Sequence, residues 1–206
     1  PSLSKKQERA VASKIKKAMS RDAEWKHHDF LFNATTISTT GGVTDVSAIA
    51  QGDGDTQRDG DGAHLSSVQL KWRLTGADSP YNIVRLILLQ WNMNSGFYAP
   101  QPADILLTGV GATYTPDALM YNVDNAPNYK VLWDKTVMLR PTDQSGSSTN
   151  MTRIGDSGKI KIPRKKIHFD GGTAAGTNKI YLLAISDSGA VSHPSLTGQC
   201  RVNYRE

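Results

Sequence analysis

From about residue 26 to the C-terminus the chain is written in segments of strand length, and only one short stretch there has a helical pattern. Eight segments stand out: 26–38, 43–50, 64–74, 82–91, 129–139, 159–169, 179–186 and 199–204. They are rich in Val, Ile, Thr, Tyr and Trp. Clusters of Gly, Asp, Ser and Asn separate them and supply the turns. Alternation is clearest at Val68, Leu70, Trp72 and Leu74, which share one face of a strand. A short helix is expected at 102–107. This spacing predicts an all-β protein, a sandwich or barrel, and 206 residues are enough to bury one core without disulfides. Long connections at 51–62, 92–102, 122–128, 143–158 and 170–178 are expected to carry contacts. The single Cys200 excludes an internal disulfide framework and a cysteine-based zinc site.

The first residues follow a different rule. Residues 4–21 have the helical period, with Ser4 as the cap and Gln7 as its capping-box partner. At about 100° per residue, Val11, Ile15, Ala18 and Met19 form a narrow apolar stripe, and the cations fill the other half. Residues 1–26 hold eight basic side chains and three acidic ones, a balance of +5. The remainder holds 16 of each sign, so the whole net charge of +5 sits on this arm. Such asymmetry points to a polyanion, either nucleic acid or an anionic membrane surface. A membrane-surface helix wants Trp, Phe or Leu on its apolar face, which this stripe lacks. No run of 18 apolar residues exists to span a bilayer. The arm, residues 1–25, is therefore assigned to nucleic acid, with Lys5, Lys6, Arg9, Lys14, Lys16, Lys17, Arg21 and the adjoining Lys26 as phosphate ligands. A merely solvated charged helix is the competing reading.

The segment Gly52-Asp53-Gly54-Asp55-Thr56-Gln57-Arg58-Asp59-Gly60-Asp61-Gly62, with the alternating strand after it, resembles coat proteins of the satellite tobacco necrosis virus type. Capsid proteins of small circular single-stranded DNA viruses look similar here. Gln90-Trp91-Asn92-Met93-Asn94-Ser95-Gly96 and Val131-Leu132-Trp133-Asp134 support the likeness. The resemblance implies an eight-stranded antiparallel jelly roll over 26–206, sixty copies per shell, and a basic helical arm facing inward. It further implies a structural role in the virion, with no enzymatic activity, no membrane, and a single-stranded RNA or DNA genome as partner. Sixty arms of eight cations would supply roughly 480 charges against one per nucleotide, which under-neutralises a genome of roughly one to two thousand nucleotides. Lys159, Lys161, Arg164, Lys165 and Lys166 are candidates for the shortfall, or simply polar positions on a strand's wet face.

Three further features invite chemistry. Asp53, Asp55, Asp59 and Asp61 are hard oxygen ligands on a glycine-rich loop and suit Ca²⁺ between subunits, although the EF-hand spacing is absent; the alternative is a solvated turn. No other cofactor is expected. Gly155-Asp156-Ser157-Gly158 matches the nucleophile segment of chymotrypsin-like proteases. His64 and one of Asp78, Asp104 or Asp134 would complete the order, and a basic arm ahead of such a barrel also resembles the alphavirus capsid protease. Against this, Lys159 stands where a second glycine belongs, and Ser186-Asp187-Ser188-Gly189 repeats the triplet, so turn chemistry explains both. The third alternative, a trimeric jelly-roll binding module, leaves the arm without a purpose. Trp72, Trp91 and Trp133 are expected in the core or at subunit contacts, Trp25 at the hinge, and Tyr98, Tyr114 and Tyr121 at interfaces.

Overall fold

The computed structural model describes residues 4–22, 24–76, 81–92, 98–107, 115–140, 153–162, 166–189 and 193–206, and within the helix the side chains of residues 4–14. The arm is an α-helix, α1 (Lys5–Asp22). Strand β1 (Trp25–Thr36) begins three residues later. Then follow β2 (Gly42–Asp45), β3 (Gly62–Thr75), β4 (Asn82–Trp91), a one-turn helix α2 (Pro102–Ile105), a 3-10 helix (Val123–Asn128) and β5 (Tyr129–Leu139). The chain closes with β6 (Arg153–Lys161), β7 (Lys166–Phe169), β8 (Gly176–Thr177), β9 (Lys179–Ser186) and β10 (Ser195–Arg205).

The strands form two sheets, one ordered β1-β10-β3-β7-β8 with β6 also on β3, the other β2-β9-β4-β5. Every pairing is antiparallel. The first strand lies beside the last and the second beside the ninth, so the chain folds back on itself in nested pairs. β6 and β7 meet different stretches of β3, residues 67–75 and 62–64, and act as one interrupted strand. Leaving aside the two-residue β8, each sheet then has four strands: the eight-stranded jelly roll.

Strands β4, β5 and β9 run over the predicted residues. Two expectations need correction. The span 159–169 is not one strand, because β6 ends at Lys161 and β7 begins at Lys166. Residues 153–158 belong to β6 and not to a loop, since their backbone pairs with β3 from Gly155↔Arg73 to Gly158↔Leu70.

The main core lies between the sheets, with Val68, Leu70, Trp72 and Leu74 facing Val84, Leu86, Leu88 and Leu182. A second cluster covers the other face of the four-stranded sheet. There Ile87, Leu89, Trp91, Leu183 and Ile185 pack against Ile105, Leu106 and Leu119 from the segment around α2. Both faces of β4 and β9 are therefore buried, which is why 83–91 reads as a nearly unbroken apolar run. Asp104 holds α2 in place by accepting the Gln101 N–H at 2.8 Å.

Candidate nucleic-acid interface

The arm starts where the sequence says it should. The Gln7 N–H reaches the Ser4 hydroxyl at 3.4 Å, and the Ser4 N–H donates to Gln7 Oε1 at 3.0 Å, which closes a capping box. From Ser4 to Lys14 every side chain is exposed, including Lys5, Lys6, Arg9 and Lys14. The side chains of Lys16, Lys17 and Arg21 lie outside the described residues, although their backbone continues the same helix and sets them on its cationic half. Val11, on the apolar stripe, is 43% exposed, so the stripe is uncovered there.

Lys26 leaves the set of phosphate ligands. It points inward from β1 with 3% of its side chain exposed, and its Nζ lies 2.8 Å from Asp59, 3.5 Å from Glu206 and 3.7 Å from Glu24. The hydrogen bond to Asp59 raises its pKa well above the ordinary lysine value. A cation enclosed by three carboxylates is not available to a phosphate. Its alternation with Trp25 decided this, since the residue before it on the strand is the one turned to solvent. Lys26 is a clamp between the base of the arm, the aspartate loop and the C-terminus. The Asp59 N–H reinforces it by donating to both Glu206 oxygens at 2.9 and 3.1 Å.

The aspartate loop is organised by its other residues. Gln57 Oε1 accepts the Gly54 N–H at 3.1 Å, and a Cβ on Gly52 would overlap that amide, so the bend needs glycine. Arg58 is fully buried. Its guanidinium donates to Ile49 O at 3.3 Å, Gly171 O at 2.6 Å and Thr173 O at 2.8 Å, as well as to Gly60 O, and it lies over the Phe169 ring at 4.2 Å. Gln57 thus shapes its own loop while Arg58 staples that loop to the one at 171–173, a role that no periodicity in the sequence announces. Of the four aspartates, Asp59 is held by Lys26 and Asp61 stands 3.5 Å from Arg58. Among the described residues no group of three or more His, Cys, Asp or Glu side chains is placed to hold a metal ion. A Ca²⁺ held by Asp53, Asp55, Asp59 or Asp61 would need further ligands from a second subunit.

The protease constellation is not assembled. His64 pairs across β3 with Lys166 near one end, while Ser157 lies opposite Lys71, seven residues further along. At about 3.3 Å per residue the two are on the order of 20 Å apart. Asp104 caps α2, and Asp134 binds Arg85 at 2.7 Å and accepts the Tyr121 hydroxyl. Asp78 lies outside the described residues. Of the two Asp-Ser-Gly triplets, only 187–189 follows the end of a strand, where Asp187 accepts the Ile83 N–H at 2.8 Å; the other is strand.

The aromatic expectations divide. Trp72 and Trp91 are buried, and Trp133 packs on Trp72 with ring centres 6.3 Å apart. Trp25 and Tyr98 are exposed; Tyr114 lies outside the described residues. Tyr121 is tied into the Arg85–Asp134 pair, and burial pushes its pKa up to about 12.

A family model for the satellite tobacco necrosis virus coat protein matches residues 2–204. The chain belongs to that family. It is a viral coat protein, a structural component of the virion. A search of curated proteins finds no significant match. Among solved structures, a chain described as Desmodium yellow mottle tymovirus aligns over 89% of each chain, with 12% identity and a TM-score of 0.35. On the coat protein's arm, the described side chains of residues 4–14 are all exposed.

Proposed function

We propose that copies of this chain assemble into a closed icosahedral shell of about sixty, and that the arm packages a single-stranded genome inside it. What supports this is the exposed cationic helix on a coat protein whose body carries no net charge. Phosphates drawn to Lys5, Lys6, Arg9, Lys14, Lys16, Lys17 and Arg21 release counterions, giving affinity without base reading. A neutral body lets copies approach without mutual repulsion. With Lys26 withdrawn, sixty arms of seven cations supply about 420 charges, so other groups must neutralise part of a genome of thousands of phosphates. The catalytic reading has no assembled site behind it.

Deleting residues 1–21 tests the division of labour. Purified particles should lose their nucleic acid while the body keeps its β-sheet circular dichroism. Electron microscopy of the full chain should show closed spheres. A truncated protein that still encapsidates a normal load overturns the arm's role, and a full chain that remains a monomer overturns the shell.

A further inference from the structure

The body is neutral in sum but not in distribution. Twelve of its 16 cations fall into two groups that the fold treats differently. Arg58, Arg85, Lys135 and Lys179 are each bound to an aspartate: Asp61, Asp134, Asp156 and Asp45. Eight others lie on the outward face of the six-stranded sheet: Lys71 and Arg73 of β3, Arg153, Lys159 and Lys161 of β6, Lys166 of β7, and Arg201 and Arg205 of β10. The strand residues of that face include one carboxylate, Asp29, which Arg201 holds in a two-point pair at 2.6 Å. Eight cations and one anion leave +7 on this face. Because the body sums to zero, the rest of it carries −7.

The register spaces these charges. Lys71 lies between Gln199 and Ser157, Gln69 between Arg201 and Lys159, and Ser67 between Asn203 and Lys161. Lys71, Lys159 and Lys161 therefore meet neutral cross-strand neighbours, and only Arg201 faces a carboxylate, Asp29. This avoids the penalty of like charges directly opposite, yet brings no carboxylate to Lys71, Lys159 or Lys161. Among the described residues Lys71, Arg73, Lys159 and Lys161 have no ion-pair partner. Gln69, Lys71, Gln199 and Arg201 also line a shallow depression of about 140 Å³. Amide N–H groups and cations together are what a phosphate oxygen accepts from.

A face that served only solubility would mix both signs, and a contact between copies would have an apolar centre depleted of charge. This face has neither character; its large exposed apolar residues, Trp25 and Leu31, lie on the edge strand β1. We infer that the outward face of the six-stranded sheet is a second phosphate-binding surface, taking the backbone of the same single strand that the arm engages. It contributes as many net charges per copy as the arm's seven cations other than Lys26, roughly doubling the neutralising charge. The inference rests on the packaging reading above and names a second set of residues for it.

The experiment measures how binding of the full chain to a single-stranded oligothymidylate, longer than one site of about 16 nucleotides, falls with salt. Three proteins are compared: wild type, K71Q/K159Q/K161Q, and the control K130Q/R140Q, which removes exposed cations that are not on this face. Each lost phosphate contact lowers the slope of log K against log salt by about 0.7. The face variant should therefore lose about 2 from the slope, while the control keeps the wild-type value. A face variant with an unchanged slope, or a control that loses as much, overturns the inference and leaves the arm's role intact. Particles that fail to form only in the face variant, with the slope unchanged, would make this surface a contact between copies and also overturn it. A wild-type chain that ignores the oligonucleotide at low salt fails differently, because it removes the packaging reading and this one with it.

Discussion

The middle strands β4 and β9 of the four-stranded sheet are buried on both sides, with Leu86 and Leu88 turned to the core between the sheets and Ile87 and Leu89 covered by the segment around α2. The six-stranded sheet is buried on one side only. Leu70, Trp72 and Leu74 face the core, while Lys71 and Arg73 face out. The two sheets share strand chemistry and antiparallel pairing, and they differ in what lies beyond them. The comparison teaches that an ionic group in this coat protein has one of two environments. On the covered sheet Arg85 is 7% exposed and must be satisfied completely, by Asp134, Pro116 O at 3.1 Å and Leu119 O at 2.6 Å. On the bare sheet a cation can stand unpaired, because water satisfies it until a ligand arrives.

Four substitutions or titrations would break or sharpen this contrast. The largest effect is expected from Asp134→Ala, which strands a buried guanidinium; removing one partner of such a pair costs about 3–5 kcal/mol. Urea unfolding of the monomeric or disassembled protein measures it, and a loss under about 1 kcal/mol would show that water reaches Arg85. Next comes Leu183→Ala, on the covered face of β9, where the residue is fully buried. It should cost about 2–5 kcal/mol by the same measurement, with no large change in the slope of the unfolding curve.

The third effect is a dependence on acid. Burial raises the Asp134 carboxyl, but the hydrogen bonds from Arg85 and Tyr121 outweigh burial and hold it below its ordinary 3.8. A depressed folded pKa gives stability that is present above the ordinary value and lost as pH falls through the folded one. The melting temperature should therefore begin to fall below about pH 4, and Asp134→Asn should flatten that fall while lowering the plateau. An equally steep fall in the variant would assign acid sensitivity elsewhere. Glu206 works in the opposite sense: burial raises its pKa above 4.5, so its contribution is present at low pH and lost as pH rises through the raised value. The smallest effect belongs to the bare face. Gln199→Ala should change stability by no more than about 0.5 kcal/mol. A large destabilisation there would mean that this face is packed against something in the folded protein.

Much of the architecture was legible because it depends on local periodicity. The Ser4–Gln7 box, the helix after it, the alternation at Val68–Leu74 and the double-faced apolar run of β4 each express a rule that acts within about ten residues. Composition alone also located the excess charge on the arm. What stayed hidden depends on residues far apart in the chain. Lys26 looks like one more arm cation until Asp59 and Glu206 are brought to it. Arg58 looks like a loop charge until Gly171 and Thr173 close over it. Gly155–Gly158 looks like a turn until β3 pairs with it.

The sequence by itself determined the alternation at Val68–Leu74, the extents of β4, β5 and β9, the helical arm and the sum of the charges, since each follows from neighbouring residues or from simple addition. Only the tertiary structure decided which cations are enclosed by carboxylates and which share a bare face. That sorting is set by register and strand order, which bring together residues more than a hundred positions apart, as with Lys26 and Glu206. Coulomb interactions and desolvation depend on distance and burial, and neither is fixed until the sheets have formed.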